Sequence, residues 1–222
     1  MNLILQHYNG TPDELAKLSI RNIAAYAQNI GSDWDFITGK PFRNYLSDQS
    51  QKLYFLDERF DDYDTVVMLD CDMFARTDKS IFDVKGMGRH TKIQNELRNK
   101  IATRNGRLAN HAAPYWGGAV YKFDRETRMQ LRDAIPDKDT LGQLDRMLKD
   151  ESIMHYLAWR SNLPETDETY FNGECKGEEW DMNSFDQPEA AHIVHIRPKW
   201  TLQGPKTTKM IIYKDLVDKC II

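Results

Sequence analysis

The residues of this chain best placed to do chemistry are Asp70 and Asp72, which flank Cys71 directly after the apolar run Thr65-Val66-Val67-Met68-Leu69. In an extended segment residues i and i+2 share a face, so both carboxylates can address one cation. An unbroken apolar run reads as a strand buried on both faces, as in a parallel sheet, and the carboxyl ends of such strands line the ligand crevice. The alternative, two surface aspartates that merely end a strand, suits an edge strand better than one this apolar. A second candidate is the run Ala191-His192-Ile193-Val194-His195-Ile196. Its histidines are three apart, so in a strand they face opposite sides and at most one can ligate the same ion. His195 lies nearer the carboxyl end and is followed by Arg197, Pro198, Lys199 and Trp200, a cationic end suited to phosphate oxygens. Either histidine taken alone also reads as a satisfied core residue. Two carboxylates and one imidazole leave an octahedral Mn²⁺ or Mg²⁺ room for two phosphate oxygens and water.

The elements that must position these groups follow from the periodicity. Asn2 to Gln6 is a short apolar strand, and Thr11-Pro12-Asp13-Glu14 supplies an N-cap, a proline for the first helical position and a capping-box glutamate. Leu15, Leu18, Ile23, Tyr26 and Ile30 then recur at helical spacing until Gly31, and Trp34 to Ile37 reads as a second strand. A helix over Gln51 to Phe60 leads into the strand Thr65 to Leu69. Gly118 to Phe123 reads as a returning strand, Arg125 to Ile135 and Thr140 to Arg160 as helices, and Ala190 to Ile196 as a late strand. Strands alternating with helices predict an α/β fold with a Rossmann-like, mostly parallel central sheet flanked by helices. Residues 1–200 read as one domain. The stretch Thr201 to Ile222, after the Gly204-Pro205 break, reads either as a packed tail or as the start of a further domain of a longer polypeptide.

Composition narrows the function. The 222 residues carry 30 Lys+Arg against 34 Asp+Glu, a net charge of -4 that gives no whole-chain bias toward nucleic acid or membrane. The stretch Lys85 to His111 is locally basic, either a solvated surface segment or a wall beside an anionic ligand. No apolar run is long enough to span a membrane, and Met1-Asn2-Leu3-Ile4-Leu5 lacks the features of a signal peptide, so the expectation is a soluble, cytoplasmic chain. Cys71, Cys175 and Cys220 are odd in number and widely spaced, which argues against a disulfide framework or a structural zinc site. The phosphate-loop, dinucleotide, zinc-protease and serine-elbow motifs are all absent.

The stretch Lys52-Leu53-Tyr54-Phe55-Leu56, followed by Tyr63-Asp64, the apolar strand and Asp70-Cys71-Asp72, resembles the donor-binding core of GT-A glycosyltransferases. The likeness is greatest to the glycogenin and galactosyltransferase-like branch, and within it to glycosyltransferase domains of chlorovirus multidomain proteins. Asp78 to Asp83 sits where such enzymes have a short helix. Tyr115 to Val120 resembles their acceptor-side strand, Asp150-Glu151-Ser152 their Asp-Gln helix start, and His195 to Trp200 their C-terminal metal and diphosphate segment. The chain departs from the pattern at Trp116-Gly117-Gly118, at Glu151 in place of glutamine, and in the order Pro198-Lys199.

The resemblance implies a metal-dependent glycosyltransferase acting on a nucleoside diphosphate sugar, a uridine diphosphate sugar for preference, and a glycan hydroxyl acceptor, with retention of configuration. It implies that Asp70, Asp72 and His195 hold Mn²⁺ or Mg²⁺. Lys199, with Arg197 beside it, would contact the diphosphate, while Lys52, Cys71 and the loop Gln6-His7-Tyr8-Asn9 surround the nucleotide. The Tyr8 ring either stacks on the base or closes the core. Trp116, Gly117 and Gly118 would lie on the acceptor side. Asp150 and Glu151 would be the catalytic carboxylates, or they merely complement the dipole of a helix N-terminus. Three rivals remain: a haloacid dehalogenase-like phosphohydrolase using Asp70 and Asp72, a non-catalytic nucleotide-sugar or glycan-binding module, and a nucleic-acid binder built on Lys85 to Arg107.

Overall fold

Alternation within the 65–69 strand organises the molecule. Val66 and Met68 pack with Leu3, Leu5, Tyr121 and Phe123 on one face, while Val67 and Leu69 pack with Ile4 and Val120 on the other. Both faces are buried, as the unbroken apolarity predicts. The computed structural model describes residues 1–83, 117–163, 181–183, 188–198, 200–201, 204–205 and 207–222. The basic stretch Lys85 to His111, Trp116, Cys175 and Lys199 lie outside the described residues.

Along the chain run β1 (Asn2–Tyr8), α1 (Glu14–Asn29), β2 (Asp33–Thr38), β3 (Thr65–Leu69), β4 (Met73–Ala75), β5 (Val120–Asp124), α2 (Arg125–Asp133) and α3 (Lys138–Arg160). Then come β6 (Asp181–Asn183), β7 (Ile193–His195), β8 (Trp200–Thr201), β9 (Gly204–Pro205) and α4 (Lys209–Asp218). The central sheet has the order β2-β1-β3-β5; β1 is parallel to both neighbours and β5 is antiparallel to β3. A second sheet, β4-β7-β6, pairs β7 antiparallel to β4 and parallel to β6. This is the expected α/β architecture with a mostly parallel sheet.

Local chemistry explains where elements differ from the sequence reading. The cap of α1 is Asp13 rather than Thr11, its carboxylate accepting from Ala16 N–H at 2.8 Å. A carboxylate there also complements the helix dipole, and Thr11-Pro12 becomes the lead-in. The helix expected over Gln51 to Phe60 is two tighter 3₁₀ segments, Gln49–Leu56 and Glu58–Phe60. Three residues per turn place the buried Ser50, Leu53 and Leu56 on one line toward the core, and Asp57 caps the second segment. Residues Asp78 to Asp83 form a turn rather than a helix, with Tyr26 Oη accepting from Ile81 N–H at 2.9 Å and donating to Lys79 O at 2.8 Å. The late strand is shorter than expected, Ile193–His195.

Helix α3 is broken. Leu148 (φ -137°, ψ 31°) and Lys149 (φ 57°, ψ -135°) leave helical geometry, so Asp150 and Glu151 begin a second helical segment. The Ser152 hydroxyl spans the break, accepting from Leu148 N–H at 2.8 Å and donating to Leu144 O at 2.7 Å. The tail folds back onto the body: α4 presents Leu216, Met210, Ile212 and Tyr213 to Leu15, Phe74, Val194 and Ile196.

Candidate functional site

At the carboxyl end of β3, Asp70 N–H donates to Ala119 O at 3.0 Å, holding Asp70 against the approach to β5. Asp72 immediately precedes β4, and the antiparallel pairing of β4 with β7 sets Met73 opposite His195. Ile196 N–H donates to Asp72 O at 2.8 Å, closing that register around the aspartate. One ligand atom from each of Asp70, Asp72 and His195 therefore lies within 4.8 Å of the other two. Asp72 Oδ1 is buried and has no hydrogen-bond partner among the described residues, with His195 Nε2 3.3 Å away as an ion-pair neighbour. A buried carboxylate oxygen left open beside a second carboxylate and an imidazole is the donor arrangement a hard divalent cation uses. Burial works to raise the Asp72 pKa, but His195 and Lys209 outweigh it and hold the carboxyl well below the usual range.

A buried network supports the aspartate loop. Gln6 is fully enclosed, its Nε2 lying 3.2 Å from Ser19 Oγ and 3.3 Å from Asp70 O, while Ser19 Oγ donates to Met73 O at 2.7 Å. Gln6 thus braces the loop from behind, its buried side chain outside the lining of the pocket that opens in front. Cys71 Sγ–H donates to His7 O at 3.3 Å, and burial pushes its thiol up, so it acts here as a neutral donor.

In front of the network opens a pocket of about 300 Å³. His7, Tyr8, Asn9, Lys52 and Asp70, all expected from the sequence, line it together with Asp48, Gln49 and Leu69. His7 Nε2 lies 2.7 Å from Gly39 O, and burial lowers the ring's pKa. The Tyr8 hydroxyl donates to Asp13 Oδ2 at 3.4 Å, and an Asn9 hydrogen bond lowers the pKa of Asp48.

Lys52 joins the pocket to the helix break. Its ammonium lies 2.7 Å from Asp70 Oδ1, 2.5 Å from Gly118 O and 3.3 Å from Asp150 Oδ2, which also accepts from Tyr121 Oη at 2.7 Å. Glu151 Oε1 accepts from Gly118 N–H at 3.1 Å. A Cβ at Gly118 would stand 2.5 Å from Asp150 Oδ2, so the glycine is what permits this approach. Burial pulls the Lys52 pKa down, but Asp150 and Asp70 together override it and raise it. One ammonium shared by two carboxylates leaves Asp150 short of compensation: burial pushes it up to about 6, Lys52 opposing and Glu151 adding to the rise.

No protein-family model matches the chain and no curated protein matches it in sequence. Among solved structures it is similar, with TM-score 0.57 and 11% identity over 97% of this chain and 98% of the other, to "a glycosyltransferase involved in the glycosylation of the major capsid of PBCV-1". The galactosyltransferase LgtC, in complex with donor and acceptor sugar analogs, is similar with TM-score 0.52 and 12% identity over 96% of this chain and 94% of its own. The fold is the GT-A glycosyltransferase fold. The WbbM bifunctional glycosyltransferase is similar over 95% of this chain and 51% of its own, with TM-score 0.55 and 11% identity. At such identities the GT-A architecture is what is common.

Within this GT-A fold, the site brings together residues from both ends of the chain. Arg197 is exposed two positions past His195, Gly117 is buried beside Gly118, and Trp116 and Lys199 lie outside the described residues. His192 is half-buried ahead of β7, where its carbonyl accepts from Arg76 N–H at 2.9 Å. Sequence reasoning missed Lys209, Asp48 and Tyr121. Tyr121 had a signal, since it sits next to Val120 in a run that reads as a strand; Lys209 and Asp48 had none, since only the packing of distant segments brings them to the site.

Proposed function

We propose that this chain is a divalent-metal-dependent glycosyltransferase that moves a sugar from a nucleoside diphosphate sugar, a uridine diphosphate sugar for preference, to a glycan hydroxyl. The observation that carries the reading is the convergence of ligand atoms of Asp70, Asp72 and His195 within 4.8 Å, with Asp70 also lining the pocket of about 300 Å³ at the ends of β1 and β3. In an α/β sheet that is where ligands bind.

A divalent cation bound by Asp70, Asp72 and His195 would stabilise charge developing on the leaving diphosphate. Arg197 and Lys199 follow His195 in the chain and would add positive charge on the same side. Lys52 fixes Asp70 for the cation and Asp150 for the sugar at once, which ties donor binding to the position of the helix break. Glu151, held by Gly118 N–H, is the more accessible of the two carboxylates and would face the positive charge that develops on the sugar. Asp150, enclosed by Lys52 and Tyr121, would orient it. With Glu151 below the sugar and the departing phosphate taking the acceptor proton, the configuration at the anomeric carbon is retained. Among the described residues no helix is long and apolar enough to cross a membrane.

A panel of nucleoside diphosphate sugars, assayed for binding and hydrolysis with and without Mn²⁺, tests the proposal. Binding of at least one donor that depends on the metal is the expected result. Undiminished turnover after exhaustive chelation, or no donor bound at any metal concentration, would sink it.

A further inference from the structure

Lys209, the first residue of α4, extends its ammonium onto Asp72 Oδ2, a carboxylate of the cation cluster. The contact is held in place by the tail. Thr208 caps α4, Tyr213 packs its ring 4.9 Å from that of Phe74, and Leu216 is buried against the body. Phe74 is itself two residues from Asp72, on the strand that pairs with His195. The helix therefore delivers one positive charge to the aspartate that the cluster offers to a divalent ion.

The ammonium sits on Asp72 Oδ2 and the open Oδ1 is left for a divalent ion, so the two cations repel across one carboxylate and each weakens the other's hold on Asp72. When the ion wins, the long lysine stem, half exposed, leaves its ammonium free to swing while its backbone stays anchored. The nearest new negative charge is then the diphosphate accompanying the metal. We propose that Lys209 is the resident counter-cation of Asp72, giving way to the divalent ion and moving onto the donor diphosphate. This inference rests on reading the cluster as a metal and nucleoside diphosphate site.

The test separates the two states by the sign of the effect. Mn²⁺ binding to the free protein is measured by loss of the free-ion EPR signal, and UDP binding is then titrated at saturating Mn²⁺, for wild type, Lys209→Met and Lys209→Arg. Lys209→Met keeps the stem that packs on the surface but removes the charge. It should bind Mn²⁺ alone about fivefold more tightly, since a competitor has gone, yet bind UDP about tenfold more weakly, since a phosphate contact has gone. Lys209→Arg should return both values toward wild type. A purely structural lysine would shift both affinities downward together with the melting temperature, and that result overturns the proposal. So does an unchanged UDP affinity. Mn²⁺ bound by wild type and no better by Lys209→Met removes the role of Lys209 while leaving the metal site standing. If neither protein binds Mn²⁺, the metal reading itself fails.

Discussion

Asp70 and Asp72 do different work although they are two residues apart. Asp70 is shared with Lys52 at 2.7 Å, whereas one oxygen of Asp72 faces His195 Nε2 at 3.3 Å and the other holds Lys209. Asp72→Ala should lower turnover at least about a hundredfold, the scale of one lost electrostatic stabiliser, with the fold intact by circular dichroism. Normal donor turnover by both Asp70→Ala and Asp72→Ala would remove the metal reading. Asp150 makes a separate prediction through its protonation. Its carboxyl is raised from 3.8 to about 6, so between those values the folded state keeps a proton the unfolded chain has released. The stability it contributes is therefore greatest below about pH 3.8 and declines as pH rises toward 6. Relative to Asp150→Asn, which has no such proton, wild type should lose on the order of 2 kcal/mol between pH 4 and pH 6.5 in denaturant titrations. A gap that stays flat or widens in favour of wild type as pH rises contradicts the shift.

At the scale of elements, the break in α3 sets the direction of the two candidate catalytic carboxylates. Lys149 adopts φ 57° and ψ -135°, a region that disfavours any residue with a Cβ, and does so immediately before Asp150. Backbone strain of this kind persists where surrounding contacts over-determine it, here the Ser152 hydroxyl bridge and the Asp150 contacts with Lys52 and Tyr121. Lys149→Gly should relieve the strain and raise stability by up to about 1 kcal/mol, read from the denaturant midpoint. A fall in stability would show that the local conformation is not strained. Ser152→Ala should do the opposite. It removes the hydroxyl that accepts from the half-buried Leu148 N–H and donates to Leu144 O, and should cost about 1–2 kcal/mol.

At the scale of the whole molecule, the tail packs on the body. Leu216 is 3% exposed, and α4 covers Phe74, Val194 and Ile196 around the β4–β7 pair that brings Asp72 to His195. Truncation after residue 206 would uncover this cluster. It should lower stability by at least about 3 kcal/mol, or roughly 6–12 °C in Tm for a chain of this size. A truncated chain that melts with the full one would make residues 207–222 an appendage or the lead into another domain.

The sequence alone was enough for whatever depends on period, composition or close spacing. The unbroken run Thr65–Leu69 announced a strand buried on both faces, as strand geometry requires. Close spacing announced Asp70 and Asp72 as neighbours, but a turn at Cys71–Asp72 brings them together rather than the extended chain that the i, i+2 rule assumes, and His192 lies outside the strand that carries His195. Tertiary structure decided what depends on contacts between distant segments. The antiparallel register of β4 and β7 carries His195 to Asp72, and the docking of α4 carries Lys209 there. The shared ammonium of Lys52 links Asp70 to Asp150, although no spacing rule connects positions 52, 70 and 150. Gln6 shows the reverse: its place in a strand-end loop suggested a ligand contact, but the packing of Ser19 and Trp34 around it turned the side chain inward. Periodicity fixes which face a residue takes, and only the packing of other elements on that face decides whether it meets ligand, lysine or core.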